Sequence, residues 1–92
     1  MRTTPKRSFR LIDEYARKHY QCFLAEMFLN QDESEYILCF RPTHSSLNSD
    51  RYACRYLNFE VGEVRRLEKG EELGDSVKAA LDQELTHLRS SS

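Results

Sequence analysis

The chain has 92 residues, of which 39% are hydrophobic and 32% are charged, and its formal net charge at pH 7 is −1. This composition argues against a disordered chain and predicts one small globular domain over residues 1–92. No apolar run approaches the roughly 20 residues that a membrane-spanning helix needs, and no signal peptide follows the basic start, so we expect a cytoplasmic protein without membrane contact.

The first predicted element is a helix over residues 5–28, preceded by a basic arm at residues 1–4. Thr4 suits the N-cap of a helix and Pro5 suits its first position. Apolar residues then recur at a spacing close to 3.6. These residues are Phe9, Ile12, Ala16, Phe23 and Met27. The pattern predicts one long helix with a single apolar stripe.

A different division of this segment is also open. The helix would end near Lys18, and residues 20–29 would form a strand. A half-buried strand needs strict alternation of apolar and polar residues. Alternation is poor here, because Glu26 shares a face with Leu24 and Phe28. We therefore prefer the long helix to the strand.

Two strands are predicted in the middle of the chain. Residues 36–40 form a continuous apolar run, typical of a strand covered on both faces, and Pro42 ends it because proline cannot donate to a ladder. Residues 51–61 alternate with a period of two and are rich in aromatic residues, which indicates a second, central strand. Its core-facing set is Ala53, Arg55, Leu57, Phe59 and Val61. Its outward set is Tyr52, Cys54, Tyr56, Asn58 and Glu60. Residues 64–67 are a candidate third strand.

The last predicted element is a helix capped by Asp75 or Ser76, and residues 90–92 are a frayed tail. Its apolar stripe is Val77, Ala80, Leu81, Leu85 and Leu88. The predicted fold class is therefore α+β, with an N-terminal helix, a two- or three-stranded antiparallel sheet and a C-terminal helix. Because so small a sheet is marginal in water, we also expect a homodimer.

The three cysteines, Cys22, Cys39 and Cys54, are predicted to be buried free thiols, because an odd number does not suit a disulfide framework. A zinc site that uses His19 or His44 as a fourth ligand is the alternative, but the chain has no close Cys-x-x-Cys pair. A thiol enzyme built on a cysteine and His44 is a more distant possibility. No nucleotide-binding or catalytic motif occurs. We predict no enzymatic activity, no cofactor and no metal.

A protein-binding surface is predicted on the outer face of the strand over residues 51–61. Tyr52 and Tyr56 would be its anchors, with Arg41 and Arg51 at its rim, because tyrosine and arginine are enriched at protein interfaces. The predicted function is a regulator, adaptor or inhibitor module that binds another protein. The competing interpretation is that the two tyrosines simply cover a helix.

The alternative function is nucleic-acid binding through the basic arm at residues 1–4 together with Arg41, Arg51 and Arg55. The order helix, three strands, helix is shared with double-stranded-RNA-binding domains, and this is an analogy of order only. The stretch over residues 69–75 is acidic where such domains place lysines. This charge argues against RNA binding through the last helix.

Overall fold

The computed structural model of the chain describes residues 5–43 and 54–89, with side chains to residue 86. The elements are α1 (Lys6–Tyr20), β1 (Cys22–Leu29), β2 (Glu35–Pro42), β3 (Arg55–Glu60), α2 (Val61–Glu68) and α3 (Asp75–Arg89). The predicted α+β class is confirmed, and the sheet has three antiparallel strands followed by two helices. Among the helices described, none has the length and apolar character needed to cross a bilayer.

The first helix is shorter than the sequence pattern predicts. It ends at Tyr20, and Gln21 follows it in the left-handed conformation with φ 55°, a common way to terminate a helix. The prediction of a helix over residues 5–28 is therefore wrong in its second half. At the other end Pro5 is the N-cap rather than the first helical residue, and it makes no side-chain cap hydrogen bond.

A β-bulge in β1 explains why the alternation of apolar and polar residues over residues 20–29 is poor. The pairing register with β2 shifts between Leu24 and Glu26, leaving Ala25 as an extra residue. A bulge of this kind reverses the side-chain alternation after it. Leu24 and Met27 are consequently both buried, whereas Glu26 and Phe28 are exposed. The strand has a regular inner face once the extra residue is taken into account.

The sheet order is β1-β2-β3, so β2 is the central strand and β3 is an edge strand. The prediction that residues 51–61 form the central strand is therefore wrong in its position. Residues 64–67 are also not a strand but part of α2. Val64 and Leu67 are buried and lie three residues apart, while Arg65 and Arg66 between them are exposed, which is the pattern of a short amphipathic helix.

The hydrophobic core lies between the helices and one face of the sheet. It joins residues of all six elements: Ile12, Ala16, Cys22, Leu24, Met27, Leu38, Phe40, Phe59, Val64, Leu67, Val77, Leu81 and Leu85. The predicted stripe of α3 is confirmed for its buried members Val77, Leu81 and Leu85. Leu88 belongs to α3, but its side chain lies outside the described part. The core cluster therefore lies on one face of the sheet, and the residues of the opposite face are not part of it.

Helices α1 and α2 cap each other. Glu68, the last residue of α2, accepts hydrogen bonds at Oε2 from the Ser8 backbone N–H at 2.5 Å and from its hydroxyl at 2.7 Å. Arg7, in the first turn of α1, donates through Nε to the Leu67 carbonyl at 2.8 Å and through Nη2 to that of Gly70 at 3.0 Å. Each charge stabilises the end of the neighbouring helix, where unpaired backbone groups need a partner.

Candidate functional site

The candidate site is the outer face, which we define as the sheet face opposite the hydrophobic core. Residues paired across antiparallel strands share a face, so the register assigns its members. They are Phe23, Glu26 and Phe28 from β1, Glu35, Ile37, Cys39 and Arg41 from β2, and Tyr56, Asn58 and Glu60 from β3, with Cys54 just before β3. Phe28 is 45% exposed and Tyr56 is 60% exposed. In the described part of the chain, these are the two large apolar side chains that are exposed to solvent.

Two rows of side chains cross the outer face. In one row Ile37 lies between Phe28 and Asn58, and in the next Cys39 lies between Glu26 and Tyr56. The Phe28 and Tyr56 rings are therefore on opposite sides of the central strand. Phe28 is directly beside Ile37, which is half-buried, and Tyr56 is diagonal to Ile37 in the next row. The arrangement gives a shallow apolar centre edged by polar groups, as in many protein interfaces.

Two of the four predicted site residues lie in the described part of the chain. Tyr56 is on the outer face, as predicted, so this tyrosine does not cover a helix. Arg41 is exposed near the end of β2 on the same face, paired with Phe23. Arg51 and Tyr52 lie outside the described residues. The structure thus brings one predicted anchor and one predicted rim residue onto a common surface.

Arg55 is placed on the opposite face of the sheet. It pairs with Phe40, a core residue, and its guanidinium lies 3.9 Å from the Glu84 carboxylate of α3. The faces of a strand alternate with each residue, so Arg55 and Arg41 point to different sides. The two arginines therefore cannot lie on one surface, although the nucleic-acid alternative requires both of them there.

The charges of the outer face are mainly acidic. Its described residues include three carboxylates, Glu26, Glu35 and Glu60, and one guanidinium, Arg41, which gives a net charge of −2. The Asn58 side-chain amide donates to the Glu35 carboxylate at 3.2 Å. Such a surface repels a phosphate backbone and attracts basic groups.

Phe28 and Ile37 belong to the surface but were not predicted as site residues. Phe28 lies within the predicted long helix but outside its apolar stripe, and Ile37 lies in the run predicted as a strand covered on both faces. Phe28 is missed because the predicted helix extends through β1, where the bulge at Ala25 sets the direction of the later side chains. Ile37 is missed because a continuous apolar run has no alternation to mark one side as exposed. The sequence signal for the bulge is Glu26, a charged residue between two pairs of apolar residues in the run Leu24-Ala25-Glu26-Met27-Phe28.

The cysteines differ in their surroundings. Cys22 and Cys39 are buried, as predicted, whereas Cys54 is only partly buried, so the prediction is wrong for that residue. Burial, together with the nearby Asp13 charge, raises the pKa of the Cys22 thiol to about 11. Among the side chains described, no three His, Cys, Asp or Glu residues are grouped so that they could hold a metal ion. His44 lies outside the described residues.

A second cluster of polar groups lies on the helical side. The Tyr15 hydroxyl at 2.8 Å and the Tyr20 hydroxyl at 2.6 Å both donate to Oδ1 of Asp82, which joins α1 to α3. These hydrogen bonds lower the pKa of the Asp82 carboxyl below its usual value of 3.8. Burial, reinforced by the hydrogen bond to Asp82, raises the pKa of Tyr15 to about 12. The cluster therefore stabilises the packing of the two helices with Asp82 ionised and both tyrosines neutral.

Asp82→Asn is expected to lower the free energy of unfolding at about pH 7, and this effect should shrink progressively as the pH falls below 3.8. A carboxyl whose pKa is depressed by folding contributes stability above its unfolded value of 3.8, and this contribution is lost as the pH falls through the folded value. Urea denaturation of both proteins over this pH range measures the difference. Glu14→Gln, at an exposed position of α1, is the control. An Asp82→Asn effect that does not change with pH would contradict the assignment.

Comparison with known proteins adds no relationship: no protein family matches the chain, and neither a curated protein nor a solved structure shows significant similarity to it. The function is therefore argued from the geometry of the chain alone.

Proposed function

We propose that the protein is a non-catalytic binding module that docks another protein on the outer face of its sheet. The observation that carries this proposal is the exposure of Phe28 and Tyr56 on either side of the central strand β2. Aromatic side chains at solvent-facing positions cost hydration free energy that burial against a partner recovers. Exposed apolar patches with a polar rim are typical of protein interaction sites.

The charge of the outer face indicates the kind of partner. Glu26, Glu35 and Glu60 edge the apolar centre, with Arg41 at one end. Complementary potentials favour association and suppress partners of like charge. We propose a partner that presents an apolar patch with basic side chains around it. A regulator, adaptor or inhibitor would use such a contact without any chemistry of its own.

The nucleic-acid alternative has weaker support. The basic arm at residues 1–4 and Arg51 lie outside the described residues, and the two remaining arginines point to opposite sides of the sheet. The segment before α3 exposes Glu71 and Glu72, and Asp75 at the start of α3 is exposed as well. A phosphate backbone binds where basic side chains gather on one surface, and the outer face has a net charge of the opposite sign.

An affinity capture with matched baits tests the proposal. The wild-type chain, the outer-face double variant Phe28→Ser/Tyr56→Ser and the α1 control Glu14→Ser/Lys18→Ser are used with and without nuclease. We expect a protein that the wild type and the control retain, that the outer-face variant loses, and that binds directly when purified. Capture that nuclease abolishes, or that the outer-face variant retains in full, would contradict the proposal.

The homodimer remains a prediction. The sheet of the described residues has three strands with β1 and β3 at its edges, so a second copy would gain backbone hydrogen bonds by extending the sheet. Light scattering coupled to size exclusion at micromolar concentration should give a mass of about twice 10.9 kDa. A monomer mass at every point of a dilution series would exclude the dimer.

A further inference from the structure

The sulfur atoms of Cys39 and Cys54 lie 2.7 Å apart on the outer face. The sheet register explains this approach. Cys39 pairs with Tyr56, and Cys54 precedes Tyr56 by two residues, so the two cysteines are diagonal neighbours with side chains on one side of the sheet. A disulfide bond is about 2.05 Å long, so the sulfurs need only a small further approach to become bonded.

We infer that Cys39 and Cys54 form a dithiol modification site, which a small-molecule disulfide such as glutathione disulfide converts to an intramolecular disulfide. The inference does not depend on the proposed binding function. The odd number of cysteines in the chain gave no indication that two of them could form a disulfide. The third cysteine is kept out of this chemistry by the fold: Cys22 is fully buried in the core, and its thiol donates to the Ala16 carbonyl.

The different exposure of the two thiols sets the order of the steps. Cys54 is half-buried and reachable from solvent, whereas Cys39 is only 1% exposed. The thiolate of Cys54 attacks one sulfur of glutathione disulfide, which forms a mixed disulfide and releases one glutathione thiolate. The Cys39 sulfur then attacks the Cys54 sulfur, forms the intramolecular bond and releases the second glutathione. Two protein thiols are oxidised, one glutathione disulfide is reduced, and the two thiol protons pass to the departing glutathiones.

The surroundings of Cys39 make its thiol react slowly with external reagents, but they hold it in place to attack the Cys54 sulfur. Burial, then the contact with Cys54, raises the pKa of the Cys39 thiol, while the Tyr56 hydroxyl and the Arg41 side chain act in the opposite direction. A thiol with a raised pKa has only a small thiolate fraction at neutral pH, so it reacts slowly with reagents in solution. Cys54 is held at contact distance, so the high effective concentration compensates.

The test is oxidation of the folded protein in glutathione buffers of increasing disulfide content, followed by alkylation and peptide mapping by mass spectrometry. We expect a product that has lost two hydrogens, with Cys39 linked to Cys54 and Cys22 still free. Closing a loop of about 15 residues restricts the unfolded chain, so the oxidised protein should melt roughly 10 to 20 °C higher than the reduced one. Retention of three free thiols at a disulfide-rich poise, or a crosslink that includes Cys22, would overturn the inference.

Single variants separate the two steps. Cys39→Ser should stop the reaction at a glutathione adduct on Cys54, whereas Cys22→Ala should give the same crosslink as the wild type. Cys54→Ser replaces the more exposed cysteine and keeps the buried one, so it is the informative variant if Cys39→Ser does not fold. Its Cys39 should remain unmodified for far longer than Cys54 does in the wild type. Rapid glutathionylation of Cys39 in this variant would contradict the proposed order.

Discussion

Tyr56→Ala is expected to weaken binding of the partner protein by about tenfold or more, whereas Arg41→Ala should weaken it by less than about threefold. Tyr56 lies within the outer face and is 60% exposed in the free chain, and Arg41 lies at the end of that face. Aromatic anchors at the centre of an interface lose much more on truncation than charges at its rim do. Titration calorimetry with the purified partner measures both effects.

The control for this result is stability. Phe59 lies on the same strand but faces the core and is only 7% exposed, so Phe59→Ala should cost about 3–5 kcal/mol of folding free energy. Tyr56→Ala should instead leave the thermal midpoint almost unchanged, since its ring does not pack in the core. A Tyr56→Ala protein that melts far lower and binds normally once folded would place this tyrosine in the fold rather than the interface. Nucleic-acid binding would give another pattern, with the larger loss for Arg41→Ala and a steep dependence on salt.

Glu68→Ala is expected to lower the free energy of unfolding by about 2 kcal/mol. The carboxylate accepts both the backbone N–H and the hydroxyl of Ser8, which is fully buried. Its removal leaves the Ser8 N–H, one of the unpaired donors in the first turn of α1, without this acceptor. The Ser8 hydroxyl keeps only its longer contact to the Val64 carbonyl at 3.2 Å. Urea denaturation followed by circular dichroism measures the loss.

A glutamate elsewhere on the same helix provides the comparison. Glu63 forms an ion pair with Arg66 at 3.0 Å on the surface of α2, and such pairs contribute little. Glu63→Ala should therefore change the free energy of unfolding by less than about 0.5 kcal/mol. Glu68→Gln retains one acceptor oxygen and should fall between Glu68→Ala and the wild type. Equal effects of Glu63→Ala and Glu68→Ala would mean that Glu68 does not act as a cap.

Much of the fold could be predicted because the patterns that define it are local. The stripe of α3 and the strand β2 are both recognised from local patterns. Val77, Leu81 and Leu85 of α3 are buried as predicted, whereas in the β2 run Leu38, Cys39 and Phe40 are buried and Tyr36 and Ile37 only partly so. The alternation in β3 also assigned Phe59 to the core and Tyr56 to the outer face correctly. Each of these predictions needs only the period of a helix or a strand. No partner from a distant part of the chain is involved.

The error in the first half of the chain arises where single residues interrupt a period. Ala25 forms the bulge in β1, and Gln21 ends α1 in a left-handed conformation without being a glycine. Neither residue type carries a sequence signal for the role it has here. The prediction therefore extended the helix through a strand. As a result it missed Phe28 as part of the candidate site.

Composition and periodicity by themselves determined the α+β class and the division of most elements into buried and exposed sides, because hydrophobic burial acts on each element separately. Only the tertiary structure determines which elements supply hydrogen-bond partners to the ends of others. Arg7 at the start of α1 and Glu68 at the end of α2 have the wrong sign for their own helices, and each is explained only by the helix end that it caps. The contact between Cys39 and Cys54 likewise depends on the register of β2 and β3. These contacts join residues far apart in the chain, and local spacing carries no information about them.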